Sequence, residues 1–536
     1  MNIQGLIFVL AAFCCKFSTA EFYNVAIMEY AINTNFSQPS ESILQENTRN
    51  YLDLIGDLVK NHSDPALDLI IFPESTLSPS QTISTTSAQL PDDQEVLCNS
   101  NGSYLEFLKD ISCASINYNT TIIINFTEKE ICQAGEGECP ETGEIFYNTN
   151  IALGTEGTII GRYRKWNLFG EYAKSKPASL DLPVFSIKNT SFGMMTCFDI
   201  QFGVPAFNLT RDKRVENVIF PLYWISELPY LTALQVEQMW AQEFDVVLLA
   251  SGASLPRTGA GGSGIFLGKE GTLQSEILPE RGTRVLVHRV PTDKSRFQTP
   301  YEETNSTITD ELALDLDDFY MLVDPSIREH NSVILNTSQE RVETTVCHGE
   351  DSNALCCDFN VSLFLNAVDE SLSVYTYHLV AFNGIRTFSG LYYGGVETCG
   401  IVACLNQSVE SCGQRFPNYS QIAWPVTFSS ITVLGKFAHS AQRVEYPTTL
   451  LSSIRPLPVK EYTWTSQTGA GIVEKNITLL KPQNRLLAFG IFGRDYERDW
   501  DPIRSPPSSD SITCSVTLSI FPLLIVVLLN LRFRYG

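Results

Sequence analysis

The sequence predicts an α/β first half, a sheet covered by helices, followed by a smaller β-rich domain stapled by disulfides. Three observations carry this expectation. The chain has 536 residues, 44% of them hydrophobic, enough for a large core and a second domain. Its first half alternates short apolar runs with helix-like segments, the pattern of strands crossed over by helices. Its second half holds short β runs among six clustered cysteines.

Taken in order, Leu6 to Cys15 is an apolar stretch followed by the small residues Ser18 and Ala20, which reads as a signal peptide over residues 1–20, although its start lacks Lys or Arg. In the first half, Leu69-Ile70-Ile71 leads through Phe72-Pro73 to Glu74, so a carboxylate ends a buried run. Gly161-Arg162-Tyr163-Arg164 leads to Lys165, and Ser191-Phe192-Gly193-Met194-Met195-Thr196 leads to Cys197. Alone, such a Glu or Lys reads as a solvated turn residue, and such a Cys as core filler or half of a disulfide. Val218-Ile219-Phe220-Pro221, a helix from about Thr232 to Phe244 and Val246 to Ala250 then read as strand, helix, strand. Thr232 and Gln235 suit a capping box, and Val236, Met239, Trp240 and Phe244 give that helix one apolar face. After the strand-like Arg284 to Val290, residues 293–318 are polar and acidic and read as a linker. Val361 to Leu365, Ser373 to Ala381, Val426 to Leu434 and Leu486 to Phe492 read as β runs of the second domain, in which no catalytic constellation is evident. From Ser505 the chain offers small residues, a brief spacer and an apolar tail, a lipid-anchor signal over 505–536 with Ser508 or Ser509 as the attachment site. Arg532 and Arg534 after the tail instead resemble a stop-transfer flank, which leaves a single-pass or a plainly secreted form as alternatives.

Cysteine counting singles out one thiol. Of fourteen cysteines, Cys14, Cys15 and Cys514 fall in the two processed ends, leaving an odd eleven. Four (Cys98, Cys113, Cys132, Cys139) precede Cys197 and six (Cys347, Cys356, Cys357, Cys399, Cys404, Cys412) follow it, so each group can pair within itself and Cys197 is left over. Thirteen Asn-X-Ser/Thr sites, at Asn35, Asn61, Asn101, Asn119, Asn125, Asn189, Asn208, Asn305, Asn336, Asn360, Asn406, Asn418 and Asn476, fit a glycosylated secretory protein. A net charge of -23 argues against a nucleic-acid partner, whose phosphates it would repel. The six histidines show neither zinc-ligand nor papain-type spacing.

Glu74, Lys165 and Cys197, in that order and with Phe72-Pro73, Trp166-Asn167-Leu168-Phe169 and Phe198-Asp199-Ile200 beside them, resemble the nitrilase superfamily. Within it the chain is most similar to the vanin and biotinidase branch, the resemblance extending to Leu355-Cys356-Cys357, Gly390 to Tyr393 and Phe492 to Trp500. The resemblance implies a nitrilase-type α-β-β-α sandwich over residues 21–292 and a vanin-type β-rich domain over 319–504. It further implies Cys197 as nucleophile, Glu74 as proton acceptor and Lys165 as oxyanion stabiliser, its charge holding the thiol pKa down. Glu171 and the backbone of Phe198 would assist. No metal and no cofactor is required. The implied activity is extracellular hydrolysis of a linear carboxamide through a thioester, with pantetheine as substrate and biotin amides as the alternative. A third reading is a catalytically silent, anchored glycoprotein that binds partners. Tyr223, Trp224 and Ser251, after later strands, would shape the acyl pocket and supply hydrogen bonds to a pantothenoyl chain, though each also suits plain core packing. The partners expected are therefore a small amide and the outer membrane leaflet.

Overall fold

The computed structural model describes residues 22–500, apart from 36, 79–82, 92–94, 103–104, 136–138, 295–308, 310, 314–315 and 351–353. The expected signal peptide, Asn305 and the anchor segment with Ser508 and Ser509 lie outside the described residues. No helix among the described residues is long and apolar enough to cross a membrane.

The strand Phe22–Ala31 organises the first unit because its two faces enter different cores. Successive side chains of a strand point to opposite faces. Ala26 and Met28, with Ile70, Ile122 and Ile124 of neighbouring strands, pack in one cluster with Tyr51 and Ile55 of the helix Ser40–Asn61 and Leu108 and Ile111 of the helix Glu106–Tyr118. Val25 and Ile27, with Leu69, Ile71 and Ile123, join a second cluster with Phe192, Met194, Val218 and Phe220. One sheet runs Ile159–Arg164, Glu144–Leu153, Thr121–Ile131, Leu69–Ile71, Phe22–Ala31 and Arg284–Pro291. The other runs Phe185–Ile187, Thr190–Met194, Asn217–Leu222, Val247–Ser254, Ser263–Leu267 and Thr272–Glu276. The α-β-β-α sandwich is therefore present. Its two sheets are joined into one branched ladder by a short parallel register, Glu29 to Ala31 beside Gly252 to Ser254.

The helix Ala233–Phe244 starts at the expected capping box of Thr232 and Gln235. It is buried on both sides, not only along its apolar stripe. Gln235 donates to Thr448 Oγ1 at 2.8 Å, Gln238 to the Leu457 carbonyl at 2.7 Å, and Gln242 accepts from Tyr462 at 2.5 Å. The polar face thus docks the second unit.

That second unit is two five-stranded antiparallel sheets. The first holds Asn331–Ile334, Thr376–Phe388, Tyr392–Cys404, Leu486–Trp500 and Arg443–Leu451. The second holds Arg341–His348, Leu355–Leu365, Val426–Ala438, Ile472–Leu479 and Tyr462–Gly469. Cys357–Cys399 ties one sheet to the other, and Cys347–Cys356 joins paired neighbours within one. With Cys404–Cys412, Cys98–Cys113 and Cys132–Cys139, ten cysteines are bridged, each within its own group, and Cys197 is the free thiol among the described residues.

Candidate active site

Strand ends bring the expected trio together. Leu69–Ile71 runs parallel to both its neighbours and Thr190–Met194 parallel to Asn217–Leu222, and they deliver Glu74 and Cys197 beyond their carboxyl ends, where ligands collect in α/β sheets. Ile159–Arg164 is two antiparallel steps from Thr121–Ile131, so it points the same way and places Lys165 at the same edge. All three are buried, at 3% exposure for Glu74, 2% for Lys165 and 6% for Cys197.

The thiol sits on a sharp turn. Thr196 is extended, whereas Cys197 has φ 45°, a left-handed conformation costing a residue with a side chain about 1–3 kcal/mol. Asp199 holds the turn in place. It accepts from Thr196 N at 3.0 Å, Tyr163 Oη at 2.6 Å and both Asn167 N and Nδ2 at 2.8 and 2.9 Å. Burial raises its pKa to about 6, with the Tyr163 hydrogen bond opposing. The Asn167 that follows the lysine motif is thereby a brace between the lysine loop and the thiol turn.

Lys165 Nζ lies 2.8 Å from Glu74 Oε1 and 2.7 Å from Glu171 Oε1. Burial works against its charge, yet the Glu171 and Glu74 carboxylates outweigh that and raise its pKa. Glu171 is also desolvated, but Lys165 and Lys174 pull its pKa down to about 2. Glu171, expected beside the lysine, is thus a direct partner of it. Glu74 is additionally held by Asn148 Nδ2 at 2.7 Å and by Tyr223 N at 2.9 Å. The thiol donates to the Tyr223 carbonyl at 3.5 Å. Burial, then the Glu74 carboxylate, raise the thiol pKa against the opposing pull of Lys165. The expectation that lysine would leave the thiol acidic is therefore corrected: burial outweighs the lysine and pushes the thiol pKa up.

Sequence reasoning missed Asn148. Its amide donates to both Glu74 and Glu171 Oε2, the latter at 2.8 Å, and its oxygen accepts from Asn125 Nδ2 at 2.6 Å. Asn125 also donates to Asn150 and accepts from Ser75 N, and Asn150 Nδ2 donates to Thr196 Oγ1 at 2.8 Å, closing a buried chain behind the trio. Asn125 is 1% exposed with its amide fully bonded, so a glycan has no room there and that expected site is corrected. Asn35, Asn61, Asn101, Asn119, Asn189, Asn336, Asn406 and Asn418 are exposed, and Asn208, Asn360 and Asn476 half-buried.

A cavity of about 50 Å³ opens at the thiol, lined by Phe169, Cys197, Phe198, Tyr223, Trp224 and Phe388 among others. Tyr223 and Trp224 therefore line the site, with Trp224 Nε1 bonded to the Leu231 carbonyl at 2.9 Å. Phe198 lines it as well. Ser251 does not. Its hydroxyl is buried 2.9 Å from the carbonyls of both Met28 and Ile71, stitching three strands, so its pocket assignment is corrected. The cavity's wall is chiefly aromatic and aliphatic rather than hydrogen-bonding, contrary to expectation. A larger cleft of about 570 Å³, beside Arg257, Asp317 and Arg415, has no cysteine in its lining. Among the described residues, the grouping with metal-ligating side chains is His378, Cys404 and Cys412, whose two sulfurs are bonded to each other.

The chain is similar to proteins of known families. Residues 25–245 match the carbon-nitrogen hydrolase family model and 319–499 the vanin C-terminal domain model. Vanin-like protein 1 of Drosophila melanogaster is 30% identical over 90% of this chain and 87% of its own. The pantetheinase of Homo sapiens is 26% identical over 92% of each chain, and the biotinidase of Rattus norvegicus 29% over 64% of this chain and 68% of its own. An amidase structure from Nesterenkonia sp. is 18% identical and covers 52% of this chain and 93% of its own at a TM-score of 0.38. The chain belongs to the vanin and biotinidase branch of the nitrilase superfamily, carbon–nitrogen hydrolases that act on amides other than peptide bonds.

Proposed function

We propose that this enzyme hydrolyses pantetheine to pantothenate and cysteamine outside the cell. The observation that carries the reading is the convergence of Glu74, Lys165 and Cys197 in one buried, water-poor edge. Cys197 attacks the amide carbonyl while Glu74 takes the thiol proton, so the raised thiol pKa is no obstacle: the thiolate forms as the carbonyl is met. Lys165, kept charged by its two carboxylates, faces the oxyanion of the tetrahedral intermediate. Collapse breaks the C–N bond, the proton passes from Glu74 to the departing amine, and the acyl group stays on sulfur as a thioester. Water, losing its proton to Glu74, cleaves the thioester and returns the thiol.

The apolar slot suits the unbranched chain next to the scissile carbonyl of pantetheine. A biotinyl amide carries an unbranched chain there too, so the choice between them rests on the region beyond the slot. Coverage of 92% by human pantetheinase, against 64% by rat biotinidase, supports pantetheine. The test is kcat/KM for pantetheine and biocytin on one preparation, and a higher value for biocytin refutes the assignment. Cys197→Ala should abolish turnover, and Lys165→Ala should cost about a hundredfold or more in rate. The same reading includes a lipid anchor, so phosphatidylinositol-specific phospholipase C should release the enzyme from expressing cells; recovery of the Phe521 to Asn530 peptide from the membrane form would refute it.

A further inference from the structure

The second domain does more than cap the first. The hairpin joining Thr376–Phe388 to Tyr392–Cys404 reaches across the domain boundary and ends at the thiol. Phe388 and Ser389 line the same small cavity as Cys197. The Phe388 ring meets that of Phe198, the residue after the thiol, edge-on at 5.6 Å, and Tyr392 meets Phe198 and Phe202 at 5.9 and 4.8 Å. At the tip, Leu391 lies over Gly170, where an added Cβ would come within 3.1 Å of it, next to the Glu171 that holds Lys165. The hairpin therefore touches both the thiol turn and the lysine loop.

Its position is fixed by charge. Arg386, two residues before Phe388 and fully buried, lies 2.5 Å from Glu227 and 3.2 Å from Asp324. Glu227 is itself in the cavity wall. A buried guanidinium that loses such partners is left without solvent to replace them, so the strand is pinned to the first domain. Ser389 then turns the chain with φ 53°.

We propose that Phe388 and Ser389 form the wall that sets the width of the slot beside Cys197, and so restrict the acyl carbon adjoining the scissile carbonyl to an unbranched chain. The proposal rests on the reading of Cys197 as nucleophile. For attack, the carbonyl carbon must come within about 3–3.5 Å of sulfur, which forces its α-substituent into the cavity. A small cavity with Phe169, Phe198, Tyr223, Trp224 and Phe388 in its wall favours a methylene chain over a branched one.

Two measurements test this on the full chain. The first is kcat/KM for pantetheine against its analogue with a methyl branch α to the scissile carbonyl. Phe388→Ala should reduce the preference for the unbranched amide about tenfold, the scale set by one methyl group in a tight pocket. The second needs no turnover: labelling rates of Cys197 with iodoacetamide and N-phenylmaleimide, each divided by its rate with glutathione. The wild type should favour the small reagent, and Phe388→Ala should shrink that preference about tenfold. Phe388→Leu keeps an apolar group against Phe198, serves if the alanine variant does not fold, and should shift both ratios about threefold. Phe364→Ala, at an exposed position of the same domain, should shift neither. If the labelling ratio moves while pantetheine is not cleaved, the substrate assignment falls and the wall stands. Ratios in the Phe388 variants within twofold of wild type, or a wild type without size preference, overturn the proposal.

Discussion

Removing the side chain of Asn148 tests whether the two carboxylates around Lys165 depend on a shared donor. In the folded chain one amide group gives a hydrogen to Glu74 at 2.7 Å and to Glu171 at 2.8 Å. A hydrogen bond to a charged group contributes about 1.5–3 kcal/mol. Only the bond to Glu74 bears directly on proton transfer. At about 1.4 kcal/mol per tenfold in rate, Asn148→Ala should lower kcat/KM by about 10–150-fold. It also leaves the buried Asn125 amide without its 2.6 Å acceptor, so stability should fall by about 1–3 kcal/mol. Asn148→Asp keeps the shape but has no donor and adds a third negative charge between two carboxylates, so its rate should fall further. Initial rates of pantetheine hydrolysis, with a thermal melt to confirm folding, decide the matter. An Asn148→Ala enzyme within threefold of wild-type kcat/KM would refute the reasoning.

Three further outcomes are expected. In the native protein a small thiol reagent without reductant should modify Cys197 and no other cysteine of residues 22–500, as peptide mapping can check, since the other ten are bridged. Glycopeptide mapping should find Asn125 bare while the exposed Asn336 and Asn406 can carry glycans, and a glycan at Asn125 would contradict its burial. Glu29, buried and hydrogen-bonded to Ser263, has its pKa raised to about 7 by burial. The folded chain then binds more protons than the unfolded one between about pH 4.5 and 7, so this group's contribution is complete below that window and is lost as pH rises through it, about 3 kcal/mol in all. The fall in melting temperature from pH 4.5 to 7.5 should accordingly be smaller in Glu29→Gln than in wild type.

The candidate trio of Glu74, Lys165 and Cys197 was legible because each member ends an apolar run and carries distinctive neighbours. The free thiol was legible because pairing is local in both cysteine groups. Asn148 gave no signal: a single asparagine between Tyr147 and Thr149 reads as polar decoration, and its role arises from strand register, which sets its carbonyl 2.8 Å from Lys165 N. Phe388 was silent for a related reason, since its contact with Phe198 joins two domains and leaves no trace in either local pattern. Ser251 misled because strand polarity says which end of a strand faces the site but not which residue reaches it. The direction of the thiol pKa was missed because burial is a property of the whole fold, whereas the lysine's charge can be read from one motif.

The placement of Phe388 so far downstream of Cys197 also matters while the chain is being made. At about 5–20 residues per second, the 191 positions between them take about 10–40 s to translate. Throughout that interval the thiol emerges without the wall that will enclose it, while the cysteines around it are forming five bridges. The bridges nearest to it in the chain span only 15 and 7 residues, and three of those that follow span 9, 42 and 8. Partners so near one another find each other before they find Cys197, because closing a short loop costs less entropy than closing a long one. The short spacing of the bridged cysteines thus keeps competing sulfurs occupied until the late-made half arrives and shuts the free thiol in.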